Sequence, residues 1–169
     1  MTMALRKSSL LASGVMVAAL ILTGCGSNAA NEQAVENAIQ NANPSVDADV
    51  KDGGAGITAT DKDGNEIGIG TAAKVPSDFP SSVPLPTGDL KSSVKSGDGN
   101  FVLIYRTDDA SGNSAAAAYG QQLVQAGFTL DSSGGAASVG GVEATGNGFK
   151  VEALSLGGGT LSVSVSPAK

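Results

Sequence analysis

The sequence predicts an α+β fold, an antiparallel sheet with one main helix packed on one face and a small β-meander ahead of it. Three observations carry this. The run "NFVLIYRT" (100–107) is apolar at consecutive positions, as a central strand buried on both faces must be. The segment after it sets Ala115 or Ala116, Tyr119, Leu123 and Ala126 at helical spacing and stops at Gly127, a C′ glycine. The order strand, strand, helix, strands then indicates a helix laid on an antiparallel sheet.

At the N-terminus, Arg6 and Lys7 precede thirteen uncharged apolar or small residues, Leu10 to Leu22. A membrane-spanning helix needs roughly 20 apolar residues, whereas a signal h-region needs about 7–15 behind a basic flank. Residues 1–24 therefore read as a secretory signal. A buried helix of the folded body would need neither the basic flank nor the abrupt change to Gly, Ser and Asn. The run ends in Leu22-Thr23-Gly24-Cys25, which carries the only cysteine.

Those four residues match the lipobox, and in them the chain resembles bacterial lipoproteins. The resemblance implies a diacylglyceryl group on the Cys25 thiol, cleavage before Cys25 and a membrane anchor on the extracytoplasmic face. Thiolate is the nucleophile such a thioether needs. One acyl chain binds reversibly and two or three hold durably, at about 0.8 kcal/mol per buried methylene. A free thiol would instead leave an odd cysteine without a partner in an oxidising compartment.

Removing residues 1–24 takes Arg6 and Lys7 and no acid, so the net charge moves from −6 to −8. An acidic body argues against nucleic acid as a partner, because phosphate affinity comes from clustered Lys and Arg. It also argues against lying flat on anionic lipid, because an acidic body is repelled and must be held by its acyl tether. No second cysteine remains to form a disulfide, so stability must come from an ordinary core.

Residues 25–31 read as the lipidated cysteine and a polar tether. Residues 32–73 form a module of one short helix and the meander. In "NEQAVENAIQNANP", Val35, Ala38 and Ile39 share a face, with Asn31 as candidate N-cap and Pro44 as stop. Alternation follows in Val46, Ala48 and Val50, then Ile57 and Ala59, then Ile67 and Ile69, separated by "DGGAG" and "DKDGN" turns. So small a meander is marginal alone, and it should lean on the larger domain or extend its sheet.

Residues 74–89 hold Pro76, Pro80, Pro84 and Pro86, which exclude helix and inner strand. An extended strap is expected, with Val75, Phe79, Val83 and Leu85 as its apolar contacts; a docking edge for a partner is the competing reading. Residues 90–169 form the main α+β domain. "LKSSVKS" and "NFVLIYRT" flank a "GDG" turn, and Asp108 or Asp109 caps the helix. Phe128 and Leu130 start a short strand, "ASVGGVEAT" is a further candidate, and "GFKVEALSL" with "TLSVSVS" make a hairpin around Gly157-Gly158-Gly159. In the last strand Leu161, Val163 and Val165 alternate with Ser162, Ser164 and Ser166, giving one dry and one wet face.

"VPSDFPSSVPLPTGD", the "LVQAGF" after Tyr119 and the serine-alternating last hairpin resemble small lipoproteins of Gram-positive, especially actinobacterial, cell envelopes, over most of residues 46–165. The resemblance implies an envelope role and carries over no catalytic residue.

Catalysis is weighed by subtraction. The chain has no histidine and one cysteine, which excludes Ser/His, Cys/His and histidine-ligated metal chemistry. Ser92-Ser93-Val94-Lys95 fits an S-x-x-K pattern but sits in a strand where that pattern opens a helix. Asp61-Lys62-Asp63-Gly64-Asn65 matches the first half of a calcium loop, yet Glu66 stands where Gly is required and Ala72 where the bidentate Glu belongs. An Asp-Gly hairpin turn explains it with less. The two glycine runs lack the Lys and Ser/Thr of a phosphate loop and are turns.

The expected function is a lipid-anchored, non-catalytic envelope domain that needs no cofactor or metal and binds an envelope protein or glycan. The alternative is a carrier or sensor of a small or lipidic ligand held between helix and sheet. Phe79, Phe101, Tyr119, Leu123 and Phe128 are the candidate ligand or partner surface.

Overall fold

The computed structural model describes residues 28–108, 113–131 and 140–168. Their elements are α1 (Asn28–Ala42), β1 (Val46–Lys51), β2 (Gly56–Asp61), β3 (Glu66–Gly70), β4 (Asp89–Lys95), β5 (Phe101–Arg106), α2 (Asn113–Gln125), β6 (Thr129–Leu130), β7 (Val142–Gly146), β8 (Phe149–Gly157) and β9 (Thr160–Pro167). One antiparallel sheet takes up all nine strands in the order β1-β2-β3-β4-β5-β9-β8-β7-β6. The meander extends the larger sheet directly, because β3 pairs with β4 through Ile67↔Val94, Gly68↔Ser93 and Ile69↔Ser92.

The two-residue period of a strand sorts every side chain to one of two faces. On the first face, Phe101, Leu103 and Tyr105 of β5 stand opposite Val165, Val163 and Leu161 of β9, which in turn meet Val151 and Ala153 of β8. Helix α2 lays Ala116, Tyr119 and Leu123 across them, and all are buried in one cluster. The serines of β9 lie on the other face, so the expected dry and wet sides are both present. Helix α2 ends as expected at Gly127 (φ 87°). There the Phe128 N–H donates to the Leu123 carbonyl at 2.9 Å and the Gly127 N–H to Val124 at 3.0 Å.

The second face carries the row Val50, Ile57, Ile69, Ser92, Ile104 and Ser162, linked partner to partner. Ala48 and Val50 on this face are buried where α1 packs on β1. The α+β antiparallel architecture is therefore present with two helices, of fifteen and thirteen residues, at opposite ends and on opposite faces of the sheet.

Helix α1 also answers a problem that β1 poses as an edge strand, whose outward N–H groups have no ladder partner. Glu36 accepts from the Val50 N–H at 2.9 Å, and Glu32 from the Gly53 N–H at 2.7 Å. The helix starts at Asn28, inside the expected tether, and Asn31 lies within it instead of capping it. It stops at Ala42, two residues before Pro44, as that proline requires.

The strap crosses the first face beside α2. Two turns replace the expected extended path, closed by Phe79 N–H to Pro76 O and Val83 N–H to Pro80 O, each 3.0 Å. Proline excludes helix and ladder, and the polar pairs Ser77-Asp78 and Ser81-Ser82 then favour turning. Val83 is buried, Phe79 meets Phe101 edge to face at 5.4 Å between centroids, and Leu85 stays exposed. At the strap's start, Gly56 and Gly68 leave the backbone room to approach. A Cβ on Gly68 would stand 2.8 Å from Ser93 Oγ and 3.2 Å from Ala73 Cα.

The expected caps of α2 fall at or beyond the edge of the described residues. Asp108 is five residues before its first described residue, Asn113, and Asp109 and Gly112 lie outside the described residues.

Candidate functional site

Cys25 and its neighbours Leu22, Thr23 and Gly24 lie outside the described residues, but the point where the body takes over is defined. Helix α1 begins three residues after Cys25. Three residues reach at most about 10 Å. Whatever holds Cys25 therefore also holds the first turn of α1, at the β1 end of the sheet.

The outer side of α1 suits proximity to a surface. Glu32 and Glu36 are turned inward to the backbone N–H groups named above. The residues left exposed among those described, Ala29 and Ala30 in the first turn and Gln33, Ala34, Asn37, Ala38, Gln40, Asn41 and Ala42 beyond it, are all uncharged. Beside α1, the second sheet face shows half-buried Ile57, Ile67, Val102 and Ile104, with Ile69 at 43% and Val94 at 36% exposure. Val102 and Ile104 were expected to be covered. They are not, because α2 and the strap both lie on the first face. Lys91 and Arg106 stand at one rim of this face and, with Ile104, Tyr105 and Thr160, line a groove of about 340 Å³. Lys91 reaches Asp89 at 3.5 Å, while Arg106 has no ion-pair partner among the described residues.

The five residues expected as a ligand or partner surface are placed differently. Phe101, Tyr119, Leu123 and Phe128 are buried in the core and Phe79 packs against it, so together they fill the helix–sheet interface. This corrects the expectation: helical spacing on α2 met the dry face of β5, β8 and β9, and the aromatics became mutual packing. Burial, with a lesser contribution from Tyr105, holds the Tyr119 phenol far above its usual range. Its hydroxyl donates to the Pro84 carbonyl at 2.9 Å and so ties α2 to the strap. A separate groove of about 560 Å³ lies outside α2 and is lined by Ala117, Gly120, Gln121, Val124, Gln125, Leu130 and Val142. Gly120 makes that close approach workable, since a Cβ there would lie 3.2 Å from both Val142 methyl groups.

The polar clusters close on themselves. Asp61 accepts from the N–H groups of Asp63 and Asn65 at 2.9 and 3.0 Å and from the Asn65 amide at 2.7 Å, which makes the hairpin turn and lowers its pKa. Lys95 bonds Asp78 of the strap at 2.8 Å, and Ser93 lies buried, so Ser92-Ser93-Val94-Lys95 is a piece of strand beneath the strap. Lys150 bridges Glu143 and Glu152 at 2.8 and 2.9 Å, and those bonds raise its pKa. Among the described residues no group of three or more His, Cys, Asp or Glu is placed to hold a metal ion, and no helix is long and apolar enough to cross a membrane.

The signal was in Val102 and Ile104 themselves, whose alternation with Phe101, Leu103 and Tyr105 fixes a second apolar face whether or not anything covers it; the sequence reading took that face to be covered. The chain matches no protein-family model, no curated protein and no solved structure.

Proposed function

We propose that this protein is a lipid-anchored lipoprotein on the extracytoplasmic face of the cell membrane, with a non-catalytic body that binds another envelope component, protein or glycan. The observation that carries this reading is Leu22-Thr23-Gly24-Cys25 behind an uncharged run too short to span a bilayer. Two features support it. The described helix α1 starts at Asn28, three residues after the cysteine, and the Asp, Glu and Lys clusters of the body serve turns, the strap and cross-strand pairing.

Replacing Cys25 with serine tests the anchor. The wild-type chain is expected in the membrane fraction, with a label from a fatty-acid analogue, and C25S is expected to lose both. Equal membrane retention of the two chains contradicts the proposal.

One observation favours a second reading, carriage of a small or lipidic ligand. The groove outside α2 is apolar and of ligand size, about 560 Å³. A fluorescent fatty acid should bind there and be displaced by Gly120→Leu, which fills the floor of the groove. Unchanged binding by G120L contradicts this second reading.

A further inference from the structure

The second sheet face presents branched apolar side chains from four adjacent strands, β2 to β5, with no element packed over Ile69 and Val94 among the described residues. Contiguous apolar surface of that kind marks a contact surface. Its neighbour on the same face is α1, which covers Ala48 and Val50 and is the element into which the anchor segment runs. The leash from Cys25 is about 10 Å at most, so an anchored chain cannot turn the α1 side far from the bilayer.

Charge points the same way. The body is acidic overall, yet the exposed side of α1 bears no charge, and the two carboxylates facing β1 are bonded to backbone N–H groups. At the rim of the apolar face stand Lys91, bonded to Asp89, and Arg106, which has no ion-pair partner among the described residues. The charged groups at its far end, Glu143, Lys150 and Glu152, bond one another. On the opposite face, the strap and α2 cover the core cluster of β5, β7, β8 and β9, while Thr60 of β2 stays exposed.

We propose that the sheet face bearing Ile57, Ile67, Ile69, Val94, Val102 and Ile104, together with the uncharged outer side of α1, lies against the bilayer that holds Cys25. This rests on the anchor reading above. The acyl chains supply the attachment, and this face sets the orientation: the strap and α2 are turned outward, where a partner can reach them.

The test uses the acylated chain purified from its membrane and reconstituted in vesicles of phosphatidylcholine and phosphatidylglycerol. Cys25 is blocked by its thioether, so a new cysteine is the sole free thiol. Ile69→Cys and Val94→Cys place a polarity-sensitive fluorophore on already exposed positions of the face, and Thr60→Cys places it on an exposed position of the opposite face. Labels at 69 and 94 are expected to shift to the blue and to be quenched by quencher-bearing acyl chains, while the label at 60 stays as in water. Vesicle-bound, acylated protein whose three labels all report water overturns the orientation and leaves the anchor standing. A blue shift in the labelled chain, together with a disulfide between two copies when the unlabelled Val94→Cys chain is treated with an oxidant in the same vesicles, puts a second chain on the face and also overturns it. An intact mass without the diacylglyceryl addition removes the anchor, and the orientation with it.

Discussion

Tyr119 shows what one residue does in this fold. The ring is 1% exposed, and the hydroxyl donates to the Pro84 carbonyl, so one side chain joins helix, sheet and strap. Tyr119→Phe keeps the ring and removes the bond, leaving a part-buried carbonyl without its donor. A loss of about 1–2 kcal/mol in denaturant unfolding is expected; an unchanged midpoint would mean that the strap does not depend on this bond. The position of Tyr119 on the buried side of a helix was legible from its spacing to Ala116 and Leu123. That its hydroxyl would find the strap was not, because the partner is a main-chain carbonyl 35 residues away.

At the scale of elements, the strap is held by a close approach to the sheet and by an ion pair. Gly68→Val would push a branched side chain into Ser93 and Ala73, and overpacking of this kind costs roughly 1–3 kcal/mol. Thermal unfolding of G68V checks it, and a midpoint equal to that of the wild type would contradict the close approach. The ion pair gives a pH signature. Bonding to Lys95 lowers the Asp78 pKa, and bonding to Asp78 raises that of Lys95. Asp78 therefore contributes stability that is fully present above the usual carboxylate range, near pH 4, and is lost as the pH falls through its lower folded value. Lys95 contributes below the usual lysine range, near pH 10, and loses its contribution above it. The stability difference between the wild type and Asp78→Asn is expected to be flat between those limits and to vanish in acid. Both partners are exposed enough for salt to weaken the effect. A difference that persists at pH 2 would contradict the pair.

The proline stretch also shows where the sequence stopped being informative. Pro76, Pro80, Pro84 and Pro86 rule out helix and ladder by removing donors, and the segment has neither. Proline does not choose between an extended path and turns, and here the chain turns twice. The start of α1 was missed for a related reason: "NAAN" reads as tether by composition, yet Ala30 and Ala34 are strong helix formers, and bonds from Glu36 to β1 and from Glu32 to the turn after it fix the helix above them.

For the whole molecule, alternation and turn residues marked the strands well, since Gly127, Gly157 and the Asp61–Asn65 turn stand where the chain reverses or stops. The nine-strand order was not legible, because the β3–β4 and β5–β9 pairings are long-range choices that no local pattern encodes. The buried aromatics were read correctly as apolar and wrongly as a surface. Burial depends on what the tertiary fold lays over them. Continuity of the sheet has a consequence for the proposed anchor: an orientation imposed at α1 is passed on through paired strands from β1 to β6.

The account depends most on Cys25 as the first residue of an acylated mature chain. Intact mass spectrometry of the protein taken from its own membrane tests this directly. The account predicts a chain of residues 25–169 carrying a diacylglyceryl group on Cys25. A full-length chain with a free thiol would contradict it.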